Sequence, residues 1–252
     1  MILNYDKIYA AVLGVYKDCD IHSFPFSCKE VIAHYGYRLL TYHQAAEQKE
    51  ELYEICRLYS EDAFLDRTNR LVLYNPHVPG ERPRFSQMHE LGHIILDHHG
   101  EDEEQEKEAN MFAGMLLAPS MAIHYSRIRD ASDLSTAFKI SYDAATCALS
   151  QYYRWYEHIL AYKMTALDKQ MYQHFYDKEQ NCFVWTRREC QVCHTGIVNS
   201  TYCICPSCRE RPRSDSFIPV TYYRPRFWGM DPTQIEQEKA IIREENRWLY
   251  GI

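Results

Sequence analysis

Apolar residues recur at helical spacing through most of the first 160 residues, with polar residues between them. This pattern predicts a first helix over residues 1–20, whose apolar stripe consists of Ile2, Leu3, Ile8, Ala11, Val12 and Val15. Ser27 predicts the N-cap of a second, short helix, and Glu30 three residues later completes the pattern of a capping box. Helical spacing resumes in residues 44–60. The chain therefore begins as a mainly helical domain.

Two stretches have the composition of β-strands. Residues 37–42 are Tyr-Arg-Leu-Leu-Thr-Tyr, and they follow Gly36, which predicts the end of the second helix. Residues 62–74 predict a hairpin, because the apolar runs 63–65 and 71–74 flank a polar turn. Together with the helices, these strands predict an α+β fold, mainly helical with a small β-sheet.

Helical spacing returns after residue 84. One helix is predicted to end near residues 97–100, and the next has an apolar face formed by Ala109, Phe112, Ala113, Leu116 and Leu117, with Pro119 after it. Residues 134–149 predict two short helices around a turn, with Ser141 as a cap. In this interpretation Cys147 is a buried thiol.

The candidate chemistry lies in the sequence His-Glu-Leu-Gly-His, from His89 to His93. Residues four apart share one face of a helix, so the two imidazoles can bind one metal ion. Glu90 is one step round the helix from His89, where its carboxylate can take a proton from a water molecule at the metal. Gly92 is small at a position where another element can approach closely.

A third metal ligand must come from outside this helix. Glu106 and Glu108 of the next helix are the candidates, and Glu106 is preferred because it shares a face with Asn110, which can orient an imidazole. Glu108 is the alternative. His98 and His99 are predicted to be exposed at the end of the first helix, where histidines suit the helix dipole.

Several short patterns around these residues resemble the ImmA/IrrE family of metallopeptidases. Arg84-Phe85 precedes His-Glu-Leu-Gly-His, and Glu-x-x-Ala-Asn-x-Phe-Ala and Leu-Leu-x-Pro follow it. The resemblance covers residues 21–157 and is strongest over residues 84–119. It implies a zincin-like fold, a zinc ion held by His89, His93 and Glu106, and Glu90 as the general base. It also implies a helix-turn-helix repressor of a phage or mobile element as the protein substrate.

A second cysteine-based site is predicted beyond a change in composition near residue 161. Cys190-x-x-Cys193 and Cys205-x-x-Cys208 are separated by eleven residues, the pattern of a four-cysteine zinc ribbon. Such a closed site is structural, so the chain is expected to hold one catalytic and one structural Zn²⁺. Cys203 and His194 are possible substitutes for a ligand, and Cys182 is expected to be free.

These patterns predict three parts: a metallopeptidase domain over residues 1–160, a zinc-ribbon module with its lead-in over 161–226, and a helical tail over 227–252. Residues 187–226 contain seven arginines and three acidic residues. This basic stretch is interpreted as a solvated face. Contact with a repressor or with nucleic acid is the alternative.

Composition limits the compartment and the classes of partner. The chain has 252 residues, a net charge of −7 and ten cysteines. The negative charge argues against nucleic-acid or membrane binding as the main activity, and no apolar stretch approaches the roughly 20 residues of a membrane span. We therefore expect a cytoplasmic protein, in which spaced cysteine pairs bind metal in preference to forming disulfides.

Two functions are consistent with these residues. The first is a zinc-dependent endopeptidase, for which His124 and Tyr125 are candidate donors to the oxyanion that forms on the substrate. The alternative is a regulatory protein without proteolytic activity, stabilised by metal, that binds a repressor or DNA through its ribbon.

Overall fold

A computed structural model describes residues 5–48, 60–100 and 102–210, and six residues between 231 and 240. Its first elements are α1 (Tyr5–Asp18), α2 (Cys28–His34), β1 (Arg38–Thr41) and α3 (Tyr42–Gln48). Ser27 is the N-cap of α2 as predicted, and its hydroxyl accepts a hydrogen bond from the backbone of Glu30 at 3.4 Å. The predicted helix over residues 44–60 begins at Tyr42, and its part over residues 49–59 lies outside the described residues.

The predicted hairpin is present as β2 (Ala63–Asp66) and β3 (Leu71–Tyr74). The two strands are antiparallel, with Phe64 opposite Leu73. On its other side β3 pairs in parallel with β1, so the strand order is β1-β3-β2. This small sheet among helices confirms the α+β fold class.

Six helices follow the sheet: α4 (Arg82–Ile95), α5 (Glu103–Leu117), α6 (Ser120–Ser126), α7 (Ala131–Phe138), α8 (Tyr142–Tyr162) and α9 (Ala166–Phe175). Ser141 caps α8 as predicted, but α8 is not short. It continues for 21 residues because it contains neither proline nor glycine. Cys147 is exposed, which corrects the prediction of a buried thiol.

The main core continues past residue 160, where the sequence predicted a boundary. Met171, Tyr172 and Phe175 of α9 are buried in the same core as α1. The chain then forms the short strands β4 (Tyr176–Asp177) and β5 (Cys182–Phe183), and Phe183 and Trp185 also enter this core. The lead-in segment therefore packs with the helices of the predicted metallopeptidase domain.

A small cysteine-rich module begins after this segment. It consists of β6 (Arg187–Glu189), β7 (Gly196–Val198) and α10 (Pro206–Arg209), and β6 and β7 are antiparallel. Its own core consists of Cys190, Ile197, Cys205 and Cys208. Residues 211–226 of the basic stretch and most of the predicted tail over 227–252 lie outside the described residues.

Within the described ranges, no helix combines the length and the apolar content needed to span a bilayer.

Candidate metal centre

Helix α4 is held at both its buried face and its N-terminal end. Met88 and Leu91 are completely buried, so this face of α4 is fixed in the core. Near the helix start, the guanidinium of Arg84 donates to the backbone carbonyls of Phe26 at 3.0 Å and Lys139 at 3.1 Å. Residues that protrude from α4 are therefore presented from a rigid element, as a metal centre requires.

Gly92 lets α5 approach α4 closely. A Cβ atom at this position would lie 3.1 Å from the ring of Phe112 and 3.2 Å from the Cα of Ala109. The close approach predicted for Gly92 is thus present, and its partner is α5. Because the helices nearly touch here, the first turns of α5 lie beside the histidines of α4.

His89, His93 and Glu106 converge on one point. The two Nε2 atoms are 3.0 Å apart, and the carboxylate oxygens of Glu106 lie 3.3 Å from the Nε2 of His89 and 3.2 Å from that of His93. Ligands of a tetrahedral zinc ion with bonds of about 2.0–2.1 Å are about 3.3 Å apart, so these three residues fit such an ion. The Glu106 side chain is 47 % exposed, which leaves the centre accessible from one side.

The alternative ligand, Glu108, does not join this group. Its carboxylate instead lies 3.1 Å from the Nε2 of His98. The Nδ1 of His98 is in turn 3.2 Å from the Nδ1 of His93. Asn110 occupies the equivalent place behind His89, since its side-chain oxygen is 3.1 Å from the Nδ1 of that ring. Each histidine of the cluster therefore has a polar partner on the nitrogen that faces away from Glu106.

The prediction that His98 is exposed is wrong. Only 4 % of its side chain is exposed, whereas 71 % of the neighbouring His99 side chain is exposed. The cause is Asp97, whose φ of 57° turns the chain back after the helix and directs His98 inward.

Burial dominates the electrostatics of the centre. Burial raises the pKa of Glu90 to about 7, and the negative charge of Glu106 adds to this while Arg67 opposes it. Burial also lowers the pKa of His93 to about 4, with further lowering from His89, His98 and Arg67. The pKa of His89 is lowered as well, mainly by burial. Neutral imidazoles are the form that binds metal ions.

Arg67 is a residue of this centre that sequence reasoning missed. It follows β2, in the hairpin turn, and its guanidinium donates to the backbone carbonyls of His93 at 2.6 Å and His98 at 2.7 Å. No spacing or motif identifies it, because the contact exists only once the hairpin lies beside the end of α4.

The two candidate oxyanion donors pack among aromatic side chains. The His124 ring is buried, and its Nδ1 lies 3.4 Å from the hydroxyl of Tyr152. Tyr125 stacks on Phe183 with 4.4 Å between ring centroids. These are the contacts of core residues, and an oxyanion-binding role stays a prediction.

The four predicted cysteines form a second cluster. The ligand atoms of Cys190, Cys193, Cys205 and Cys208 all lie within 4.8 Å of one another, with 3.6 Å between the sulfurs of Cys193 and Cys205. Thiolates around a tetrahedral zinc ion are about 3.8 Å apart, so this cluster also fits. Cys203 and His194, the possible substitutes, are outside this four-cysteine group.

The thiols of this cluster titrate in opposite directions. Hydrogen bonds, first of all from the backbone N–H of Cys205, lower the pKa of Cys190 to about 6. Hydrogen bonding to Cys193 raises the pKa of Cys208 to about 12. Such opposition is expected where thiols are too close to ionise together without a cation between them.

Among the described residues, these are the two groups of three or more histidine, cysteine or acidic side chains whose ligand atoms converge on a possible metal ion. A search of the curated proteins returned no match to the chain. Residues 52–150 match the family model of the IrrE N-terminal-like domain, peptidase M78. This range contains His89, His93 and Glu106. Through this domain, the chain belongs to the ImmA/IrrE family of metallopeptidases.

Proposed function

We propose that this protein is a zinc-dependent endopeptidase with one catalytic and one structural zinc ion. The observation that carries the proposal is the convergence of His89, His93 and Glu106 at 3.0–3.3 Å, with Glu90 beside them on α4. Two neutral imidazoles and a carboxylate are the ligand set of hydrolytic zinc sites, which keep one position open for water or substrate. The partly exposed Glu106 is consistent with such an opening.

Each residue has a distinct part in the reaction. When bound, zinc supplies a Lewis acid that polarises water and the substrate carbonyl. The carboxylate of Glu90 accepts a proton from the attacking water, whose oxygen forms a bond to the carbonyl carbon. As the carbon–nitrogen bond breaks, Glu90 delivers that proton to the leaving amine nitrogen. The products are a carboxylate and an amine.

The substrate we propose is a helix-turn-helix repressor of a phage or mobile-element regulatory system. This proposal rests on the family resemblance. The sheet offers a means of holding an extended segment, because β2 is an edge strand among the described residues and is followed by Arg67, which binds α4. Edge strands bind extended peptides by backbone hydrogen bonding.

The four-cysteine module has a structural part in this proposal. With four thiolates around one ion it has no open position, so its metal stabilises the fold of residues 187–210 and not the reaction. The module would then help to select the protein substrate.

Cleavage of a diverse peptide library, followed by mass spectrometry of the new termini, tests the proposed activity whatever peptide sequence the protein cuts. Zinc-loaded wild-type protein should create termini, a chelator should abolish them, and added zinc should restore them. The Glu90→Gln variant keeps the ligands but lacks the base, so it should retain its zinc and lose at least about 100-fold in rate. Equal cleavage by Glu90→Gln and wild type would refute the assignment of Glu90.

Purified helix-turn-helix repressors are the second set of substrates. Cleavage of a repressor by the wild type but not by Glu90→Gln would support the proposed substrate class. A library that is cleaved while every repressor stays intact would contradict the substrate class and keep the peptidase. Repressor binding with no cleavage in either assay would instead support the regulatory function without proteolysis.

A further inference from the structure

Behind the metal ligands lies a chain of three side chains that the proposed reaction does not use. From the cluster outward, the Nδ1 of His93 is 3.2 Å from the Nδ1 of His98, and the Nε2 of His98 is 3.1 Å from a carboxylate oxygen of Glu108. Both outer members are shielded from solvent, with 4 % of the His98 side chain and 15 % of the Glu108 side chain exposed.

These distances permit one arrangement of protons when a metal ion is bound. The Nε2 of His93 faces His89 and Glu106, so its lone pair must be available to the ion. The proton of the neutral His93 ring is then on Nδ1, from which it is donated to the Nδ1 of His98. The proton of His98 must therefore be on Nε2, where it is donated to Glu108. The donors and acceptors match along the whole chain.

The backbone is built to hold His98 at this place. The N–H of His98 donates to the carbonyl of His93 at 3.0 Å, across the turn made by Asp97. The guanidinium of Arg67 then joins the carbonyls of His93 and His98. The position of His98 thus depends on three separate contacts and not on the packing of its ring alone.

We propose that His98 and Glu108 are positioning residues that fix the tautomer and the orientation of His93 for metal binding. The proposal rests on the proposed function, since it assigns a role in the same metal centre. Asn110 serves His89 in the corresponding way, by accepting from its Nδ1. Partners of this kind behind a metal ligand typically change metal affinity or activity by about 10- to 100-fold when removed.

Zinc affinity, measured on the full chain by competition with a chromophoric chelator, tests the proposal. The four-cysteine site is unchanged in all variants and is the internal reference. His98→Phe keeps a buried ring without nitrogens, and we expect about 10- to 100-fold weaker zinc binding at the histidine site. His98→Gln can accept from His93 and donate to Glu108, so its affinity should recover to within about threefold of wild type. The matched control His99→Phe changes the exposed neighbour and should leave affinity unchanged.

A second measurement on the wild type keeps the test independent of how well His98→Phe folds. Nitrogen-15 resonances of the histidine rings should place the proton of His93 on Nδ1 and that of His98 on Nε2. A proton on the Nε2 of His93 would overturn the proposal, and so would zinc affinity of His98→Phe within about twofold of wild type.

Failure of this proposal can be told apart from failure of the proposed function. Zinc affinities and tautomers as expected, in a protein that cleaves no peptide, would refute the peptidase and leave the positioning role intact. Peptide cleavage by the wild type together with unchanged zinc binding in His98→Phe would refute the positioning role alone.

Discussion

The four histidines between residues 89 and 99 have three different surroundings. His89 and His93 direct their Nε2 atoms at Glu106, and His98 is buried behind His93. His99 is exposed and pairs with Asp97 across 3.0 Å. The role of each imidazole is therefore set by which nitrogen meets which partner, since all four side chains have the same chemistry.

Gly92 is the residue on which the spacing of α4 and α5 depends most directly. We predict that Gly92→Ala lowers the free energy of unfolding by about 1–3 kcal/mol, because the new methyl group would meet the backbone of Ala109 as well as Phe112. It should also weaken zinc binding, since Glu106 moves with α5. Denaturant unfolding and the chelator competition measure the two effects.

Gly114, on the same helix α5, is the matched control. No atom lies within 4 Å of a Cβ built on it, so Gly114→Ala should raise the free energy of unfolding by up to about 1 kcal/mol. Equal effects of the two substitutions would contradict the importance of the close approach at Gly92.

At this scale, the sequence predicted what helical spacing alone determines. His89 and His93 are four apart, and Glu106 and Asn110 are four apart on the next helix, so the faces that they share follow from the helix geometry. The position of His98 depends on the left-handed conformation of Asp97, which is uncommon for a residue other than glycine. Spacing carries no information about such a turn.

At the scale of elements, α1, α8 and α9 are joined by one buried carboxylate. Asp168 of α9 accepts from the hydroxyl of Tyr9 at 3.1 Å and from the indole N–H of Trp155 at 2.8 Å. It also accepts from the backbone and the hydroxyl of Thr165, which caps α9. One side chain thus satisfies buried donors from three helices.

We predict that Asp168→Ala lowers the free energy of unfolding by at least about 2 kcal/mol, because the buried donors of Tyr9 and Trp155 lose their acceptor. Chemical denaturation of the full chain measures this change. Asp143→Ala, in the exposed first turn of α8, is the control and should cost less than about 1 kcal/mol. An Asp168→Ala variant as stable as the control would show that α9 contributes little to the core.

The elements themselves were largely predictable, and the errors have physical causes. Caps at Ser27 and Ser141 and the hairpin over residues 62–74 follow from local chemistry. The extent of α8 does not depend on a local stop signal, and its buried residues lie on a side that excludes Cys147. The boundary predicted at residue 160 relied on a change in composition, which does not reveal that α9 returns to pack on α1.

At the scale of the whole molecule, the cysteine module is tied to the main core by backbone-directed hydrogen bonds. The side chain of Asn199 donates to the carbonyl of Phe183 at 2.6 Å and accepts from the N–H of Trp185 at 2.9 Å. The hydroxyl of Thr186 donates to the carbonyl of Phe24 at 2.7 Å. The module is therefore attached to the buried segment that ends the core, while its own four cysteines form a separate cluster.

Two independent metal centres, one of them in the IrrE-like domain, are the central feature that we propose for this molecule. Metal content per chain, measured on pure wild-type protein beside His93→Ala and Cys208→Ser, tests it most directly. We expect two zinc ions in the wild type and one in each variant, with peptide cleavage lost in His93→Ala and retained in Cys208→Ser if that variant stays folded. A single zinc ion in the wild type that is unchanged in His93→Ala would leave only the cysteine cluster occupied, and it would contradict a metal centre in the IrrE-like domain.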